Sequence, residues 1–424
     1  MNQCFLPIQF SVAKRLRCYT PSKQFAAKKN AQGHRCSVTK INIFSDHVAV
    51  VYSDLTVGTY KWTPGGRFKP DKLRQMARAE LSRSRSVIKR GAAVAQSSNL
   101  GVGNWSFAFT LGGAAKDKLR QQATRTTSRL ISTTKPDTLG TAEASGYLVC
   151  CGFWDNEIKI YSLSGYKLLC GDNGGHRGPI RCLAIGEDGG LMVSGGADGT
   201  CRIWAVDHPD MGVALSDGFI QTALGSTNDG DQLLSCCRVL WGHDSAISCV
   251  NISSDLDLIA SGSLGGIVCV HTLRLGEYVR SFRPPPMSNR PSAVSKVGFH
   301  KFGKLVVHMH DYGLHTYTIN GERLCSKDAG ERIHDMVACS TADGELLVTG
   351  GERCHVMIRS IHNLEILSQL DLSRHGPIRT ITMTSEELNP MPQKIVVGSD
   401  DGYVTIIDED EEALNYIGAE NAAF

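Results

Sequence analysis

A hairpin-shaped stretch recurs seven times along this chain. The version at 193–204, VSGGADGTCRIW, shows the plan: small residues, a tight Asp-Gly turn, then an alternating run ending on an aromatic. Related shapes occupy 50–60, 148–161, 259–271, 306–317, 347–359 and 396–408. Their turns fall at Asp54, Asp155, Asp198, Gly265, Tyr312, Arg353 and Asp401. Alternating runs around such short turns read as β-hairpins. Four turn-to-turn intervals measure 43, 47, 41 and 48 residues. A four-stranded propeller blade repeats every ~40–45 residues.

A second element leads three of the hairpins. HRGPIRC (176–182), HDSAISC (243–249) and RHGPIRT (374–380) align without a gap. Each opens a strand of small and apolar residues, the inner strand of a blade. The runs 237–241 and 365–370 have the alternation of fourth strands. The pattern predicts an all-β, seven-bladed β-propeller over residues 38–417. Residues 1–37 are expected to be a basic segment, disordered or left from an upstream domain, and 418–424 a tail. Two intervals are long, 101 residues from Asp54 to Asp155 and 67 from Asp198 to Gly265. They predict a basic insertion at about 63–145 and a polar one at about 207–232. Within the first, 104–110 alternates like an outer strand of the first blade. Residues 70–90 fit a short basic helix or, equally, disorder.

Charge is uneven although the net charge is only +3. Residues 1–45 contain no Asp or Glu, and 408–412 are all acidic. Arg78, Arg83, Arg85, Lys89 and Arg90 make a candidate contact for an anionic membrane surface. No aromatic interrupts that run, so a base-stacking platform and a specific nucleic acid are not expected. The 15 cysteines include no C-x-x-C spacing. They read as reduced thiols, not as a disulfide framework or a zinc site. No apolar run approaches the ~20 residues of a membrane span. The expected location is cytoplasmic and peripherally membrane-associated. The acid-poor N-terminus supports mitochondrial targeting as the minor alternative.

His176, Ser194 and Asp198 are the residue types of a hydrolase triad. Ser194 lacks the G-x-S-x-G elbow that exposes a nucleophile, so no catalytic residues are assigned. Gly175-His176 before an inner strand, Ser194 on the second strand, Asp198 in the turn and Trp204 on the third resemble the structural tetrad of WD-repeat proteins. In that family the imidazole joins the turn carboxylate to the hydroxyl, which meets the indole N–H. His243 and Ser261 make a partial tetrad, with Gly265 at the Asp position and His271 at the Trp position. His308 and His310 alternate onto one strand face, with His315 on the paired strand beside them. They are a minor metal pair without further ligands, so no metal and no cofactor are expected.

Gly152-Phe153-Trp154-Asp155 resembles the signature of the C-terminal propeller of BEACH-domain proteins, the neurobeachin and beige-like group. The stretches 40–44, 239–244, 256–262, 317–322 and 376–379 follow in the same order. Residues 20–25 resemble the end of a BEACH domain, and the BEACH domain itself is absent. The resemblance implies a non-enzymatic scaffold in vesicle trafficking and protein localisation, with kinase-anchoring partners among those possible. Its partners would be proteins held on the propeller faces, with no small-molecule substrate. The alternative is a generic WD-repeat subunit of a ribonucleoprotein or ubiquitin-ligase complex.

Overall fold

The computed structural model describes residues 19–25, 68–75 and 106–111 and most of 36–62, 146–206 and 234–409. Every regular element among them is a β-strand. Strand β1 (Tyr19–Phe25) comes first. One sheet follows in β2 (Val38–Phe44), β3 (His47–Tyr52), β4 (Thr56–Trp62) and β5 (Phe68–Gln75). The next holds β6 (Ser106–Leu111), β7 (Gly146–Cys151), β8 (Ile158–Ser162) and β9 (Leu168–Asp172). Then come β10 (Ile180–Ile185), β11 (Leu191–Gly196), β12 (Cys201–Val206) and β13 (Leu234–Leu240). A fourth group is β14 (Ile247–Ser253), β15 (Leu258–Ser263), β16 (Val268–Thr272) and β17 (Tyr278–Phe282). A fifth is β18 (Val294–His300), β19 (Lys304–Met309), β20 (Gly313–Thr318) and β21 (Arg323–Asp328). A sixth is β22 (Ile333–Thr341), β23 (Gly344–Gly351), β24 (His355–Ser360) and β25 (Ile366–Asp371). The last strands are β26 (Ile378–Met383), β27 (Ile395–Ser399) and β28 (Val404–Glu409), completed by β1.

Among the described residues the strands therefore form seven four-stranded antiparallel sheets. Inner strands of neighbouring sheets touch in the order β6, β10, β14, β18, β22, β26, β2 and back to β6. The architecture is an all-β propeller. Apolar residues of adjacent sheets fill the gaps between blades: Cys249, Val268 and Val270 meet Val294, Val307 and Met309 in one such layer. Val348, Val356 and Ile358 meet Ile378, Val397 and Ile407 in another.

The blades approach closely near the axis, and glycine makes this possible. A Cβ on Gly195 would lie 2.5 Å from Ile247 Cγ2, and one on Gly262 would lie 2.4 Å from Val294 Cγ1. Gly350 meets Ile378 and Gly398 meets Val38 in the same way. The cross-strand register places these four glycines at one equivalent position. In the fifth blade that position is His308, opposite Leu314.

Three sequence expectations change. Tyr19–Phe25 is a strand paired antiparallel to Val404–Glu409, within the segment expected to be disordered or left from an upstream domain. Phe68–Gln75 is the outer strand β5, paired with β4, where a helix or disorder was expected. Ser106–Leu111 pairs with β7 and is the innermost strand of its own sheet, not the outer strand of the first blade. The fourth strands expected at 237–241 and 365–370 correspond to β13 and β25. Residues 76–105, 112–145 and 207–233 lie outside the described residues, so Arg78, Arg83, Arg85, Lys89 and Arg90 receive no structural account. Gly152, Phe153, Trp154 and Asp155 are outside them as well.

Candidate functional site

Ser194 and Trp204 are carried by paired strands β11 and β12, and Asp198 sits in the turn between them. The loop before β10 brings His176 over this hairpin. Trp204 Nε1 donates to Ser194 Oγ at 2.9 Å, and Ser194 Oγ lies 2.8 Å from His176 Nε2. His176 Nδ1 is 3.2 Å from each Asp198 oxygen. One proton arrangement satisfies the chain. Nδ1–H donates to the carboxylate, the seryl hydroxyl donates to Nε2, and the hydroxyl oxygen accepts the indole N–H.

Asp198 does more than hold the imidazole. It accepts from Arg177 N at 2.9 Å, Thr200 N at 3.1 Å and Thr200 Oγ1 at 2.8 Å. Partial burial pushes its pKa up, but the bonds from Arg177 and Thr200 prevail and hold it below the usual carboxylate value. Burial pulls the His176 pKa down against the opposing pull of Asp198, which keeps the ring neutral at pH 7.

The same contacts that make a serine hydrolase are thus present, yet the chemistry is closed. Ser194 is 0 % exposed. Its oxygen accepts from the Trp204 indole and its proton is given to His176, and burial closes the hydroxyl to a substrate. The network fixes a turn, a loop and two strands together, as fully paired buried polar groups do.

The next blade repeats half of this arrangement. His243 Nε2 lies 2.8 Å from Ser261 Oγ. Gly265 supplies no carboxylate, and Cys269 Sγ stands 3.8 Å from His243 Nδ1 instead. His271 pairs with Ile259 as Trp204 pairs with Met192. Its Nε2 turns away to Trp241 O at 3.1 Å. Burial, with a smaller push from His271, lowers the His243 pKa to about 4.

Sequence reading missed a turn aspartate. Tyr312 has φ 69° and corresponds to Gly199, with φ 77°. Asp311, one residue earlier, is therefore the counterpart of Asp198. Its Oδ2 accepts from Met287 N at 2.7 Å, as Asp198 accepts from Arg177 N. The signal was the Asp in His-Asp-Tyr-Gly, obscured because Tyr stands where glycine is usual. In the sixth blade the roles are exchanged. Glu331, in the loop before β22, accepts from Arg353 N in the turn at 2.7 Å. Buried Arg359 holds the tryptophan position, and its guanidinium caps Ala329 O at 3.3 Å. In the β2–β5 sheet a hydroxyl pair replaces the tetrad, Tyr52 Oη to Tyr60 Oη at 2.7 Å.

The three histidines do not cluster as expected. His308 pairs with Leu314, while His315 pairs with Val307 and so faces the opposite side of the sheet. His315 Nδ1 bonds Ser326 Oγ at 2.9 Å. His310 lies beyond the end of β19. Among the described residues no group of three or more His, Cys, Asp or Glu is placed to hold a metal ion. Burial lowers the His308 pKa to about 3.

Comparison with known proteins agrees with this geometry. Residues 119–413 match a family described as the neurobeachin beta propeller domain. The chain is similar to BEACH domain-containing protein B of Arabidopsis thaliana, 29% identical over 265 residues. That match covers 61% of this chain and 9% of the relative. It is also similar to BEACH domain-containing protein lvsE of Dictyostelium discoideum, 25% identical over 285 residues. Here the match covers 63% of this chain and 11% of the relative. The chain thus spans about a tenth of the length of these relatives.

Proposed function

Because the chain belongs to the neurobeachin beta-propeller family, we propose that it is a non-enzymatic protein-interaction scaffold serving membrane trafficking and protein localisation. In this reading the sheets act as one closed disc of seven blades. The observation that carries the reading is the burial of Ser194 inside a saturated hydrogen-bond network, which turns the one triad-like constellation into structure. Propellers present rigid loops on two faces and protected edges around the rim. Trp241 is 71% exposed and Tyr278 56% exposed. The two flank His271, through its bond to Trp241 O and its edge contact with the Tyr278 ring at 5.6 Å between centroids. Exposed aromatics of this kind are enriched among the residues that dominate protein interfaces. The basic run from Arg78 to Arg90 is proposed to add contact with an anionic membrane, and the site of action is the cytoplasmic surface of a membrane.

The test is cross-linking and co-purification of the tagged full chain from cells, with Trp241→Ser plus Tyr278→Ser as the variant. The expected result is a defined partner that the parent retains and the variant loses at unchanged melting temperature. The reading falls if the folded chain retains no partner. It falls equally if the chain turns over an ester and Ser194→Ala abolishes that turnover without unfolding the propeller.

A further inference from the structure

Six of the inner strands share one irregularity at one level. The register slips between Ile180 and Cys182, Ile247 and Cys249, and Val294 and Lys296. It slips likewise between Ile333 and Asp335, Ile378 and Thr380, and Val38 and Lys40. The residues at the slips are Arg181, Ser248, Ser295, His334, Arg379 and Thr39. A bulged residue loses its ladder partner and its side chain is re-aimed. Because the inner strands touch in ring order, these six stand around one mouth of the central axis. All are at least partly exposed. None is acidic.

The next residue along each strand adds Lys296 and Lys40, with Asp335 as the one acid. That carboxylate is occupied. It accepts from Met336 N at 3.1 Å and Ile381 N at 3.0 Å, and faces Lys40 Nζ at 3.9 Å. Four loop acids on this face are occupied too. Asp198, Asp311 and Glu331 serve backbone N–H groups, and Asp400 holds Arg379 in a two-point ion pair. Among the described residues, Arg181, Lys296 and Arg332 form no ion pair, and His334 has no hydrogen bond.

The field at this mouth is accordingly positive. Burial lowers the His334 pKa, and Arg379, Arg332 and Lys296 lower it further against the single pull of Glu352. His310 is lowered by burial and by Arg332, against Asp311. Lys296 also acts on Cys182 and Cys249, which belong to two other inner strands. Its charge is thus felt on two neighbouring inner strands.

We propose that this mouth is a binding site for a compact polyphosphate group seated on the propeller axis. Arg181 on β10 and His334 on β22 come from different parts of the ring, with Lys296 on β18 between them. Cations set around an axis match phosphates clustered on one small ring, and an extended acidic peptide would satisfy only one side at a time. Guanidinium groups suit phosphate oxygens through paired N–H donors. The same chemistry belongs to a free inositol polyphosphate and to a phosphoinositide headgroup.

The experiment is calorimetric titration of the full chain with inositol hexakisphosphate, and flotation with phosphatidylcholine vesicles with and without phosphatidylinositol bisphosphate. The variant is Arg181→Gln with Lys296→Gln. Arg332→Gln serves if the double variant melts early, and Arg274→Gln, on the far loop beside Asp257, is the control. The expected result is saturable, salt-sensitive binding that weakens about ten-fold or more in the variants, as loss of a charge-assisted bond requires. The control is unchanged. Binding takes up protons, because the anion raises His334 and His310. Binding to free polyphosphate assigns a soluble ligand, and binding to the vesicles alone assigns a lipid headgroup. The proposal is overturned if neither probe binds saturably, if the variants bind as the parent does, or if a poly-glutamate peptide competes equally at matched charge.

Discussion

The blade of β10–β13 and the blade of β14–β17 solve one problem with different chemistry. Both must pin a loop onto a hairpin beneath it. The first uses a carboxylate, an imidazole, a hydroxyl and an indole in series. The second keeps the imidazole and hydroxyl, and replaces both ends with a thiol contact and a histidine that grips the loop carbonyl. The lesson is that geometry is shared and the bond inventory is not. Burial of the same backbone positions selects for any polar group that can be satisfied there. Arg359 and the Tyr52–Tyr60 pair extend that lesson to two further blades.

The largest expected asymmetry lies at the third-strand position. Trp204→Ala removes a large, fully buried side chain and is expected to cost about 3–5 kcal/mol. His271→Ala removes a smaller group with one bonded nitrogen and is expected to cost less, on the order of 1–2 kcal/mol. Urea unfolding of the two variants measures the gap, and equal losses would break the comparison. Next comes the turn. Asp198→Ala leaves His176 and the Arg177 amide short of an acceptor, at about 1–3 kcal/mol. The reverse change does not rescue the second blade. A Cβ at Gly265 would meet Ser245 Oγ at 2.7 Å and Asp244 Oδ1 at 2.9 Å. Gly265→Asp is therefore expected to lower the melting temperature, and a rise would show that the second blade is merely an incomplete copy of the first.

Acid distinguishes the two histidines more gently. His243 has a folded pKa of about 4, below its ordinary 6.5. The folded state then binds fewer protons than the unfolded one between those values. The neutral ring's contribution is complete above about pH 6.5 and is lost as pH falls toward 4. His176 is also lowered, but Asp198 pulls its value back up. Imidazole NMR titration should show His176 protonating before His243 as pH falls, and the opposite order would remove the assigned role of Asp198. Smallest of all is Trp241→Ala, whose side chain is exposed and whose bonded group is a backbone carbonyl. Its stability should stay within about 0.5 kcal/mol of the parent.

Much of this was legible in the sequence because it is local. Each hairpin and the complete tetrad lie within thirty residues, where turn chemistry and alternation are readable. Two of the misassignments share a cause in partners that are distant. Whether Ser106–Leu111 is inner or outer depends on which sheet receives it, and β6 pairs with a strand that begins at Gly146. Tyr19–Phe25 pairs with residues at the other end of the chain, and its own run YTPSKQF shows no clear alternation. Asp311 was overlooked for a local reason, a tyrosine in the left-handed turn conformation that glycine usually supplies. The shared bulges of the inner strands leave no mark in composition. They emerge only when the blades are placed in register.

The pairing of β1 with β28 also sets a schedule. The strand at Tyr19–Phe25 leaves the ribosome hundreds of residues before its partner at Val404–Glu409. At roughly 5–20 residues per second the early strand waits tens of seconds beside a growing chain. Throughout that interval it is an unsatisfied edge, open to capture by another nascent copy. That sheet is thus a lock that turns only once Val404–Glu409 has been made, and a chain stopped short of that strand leaves the ring unsealed.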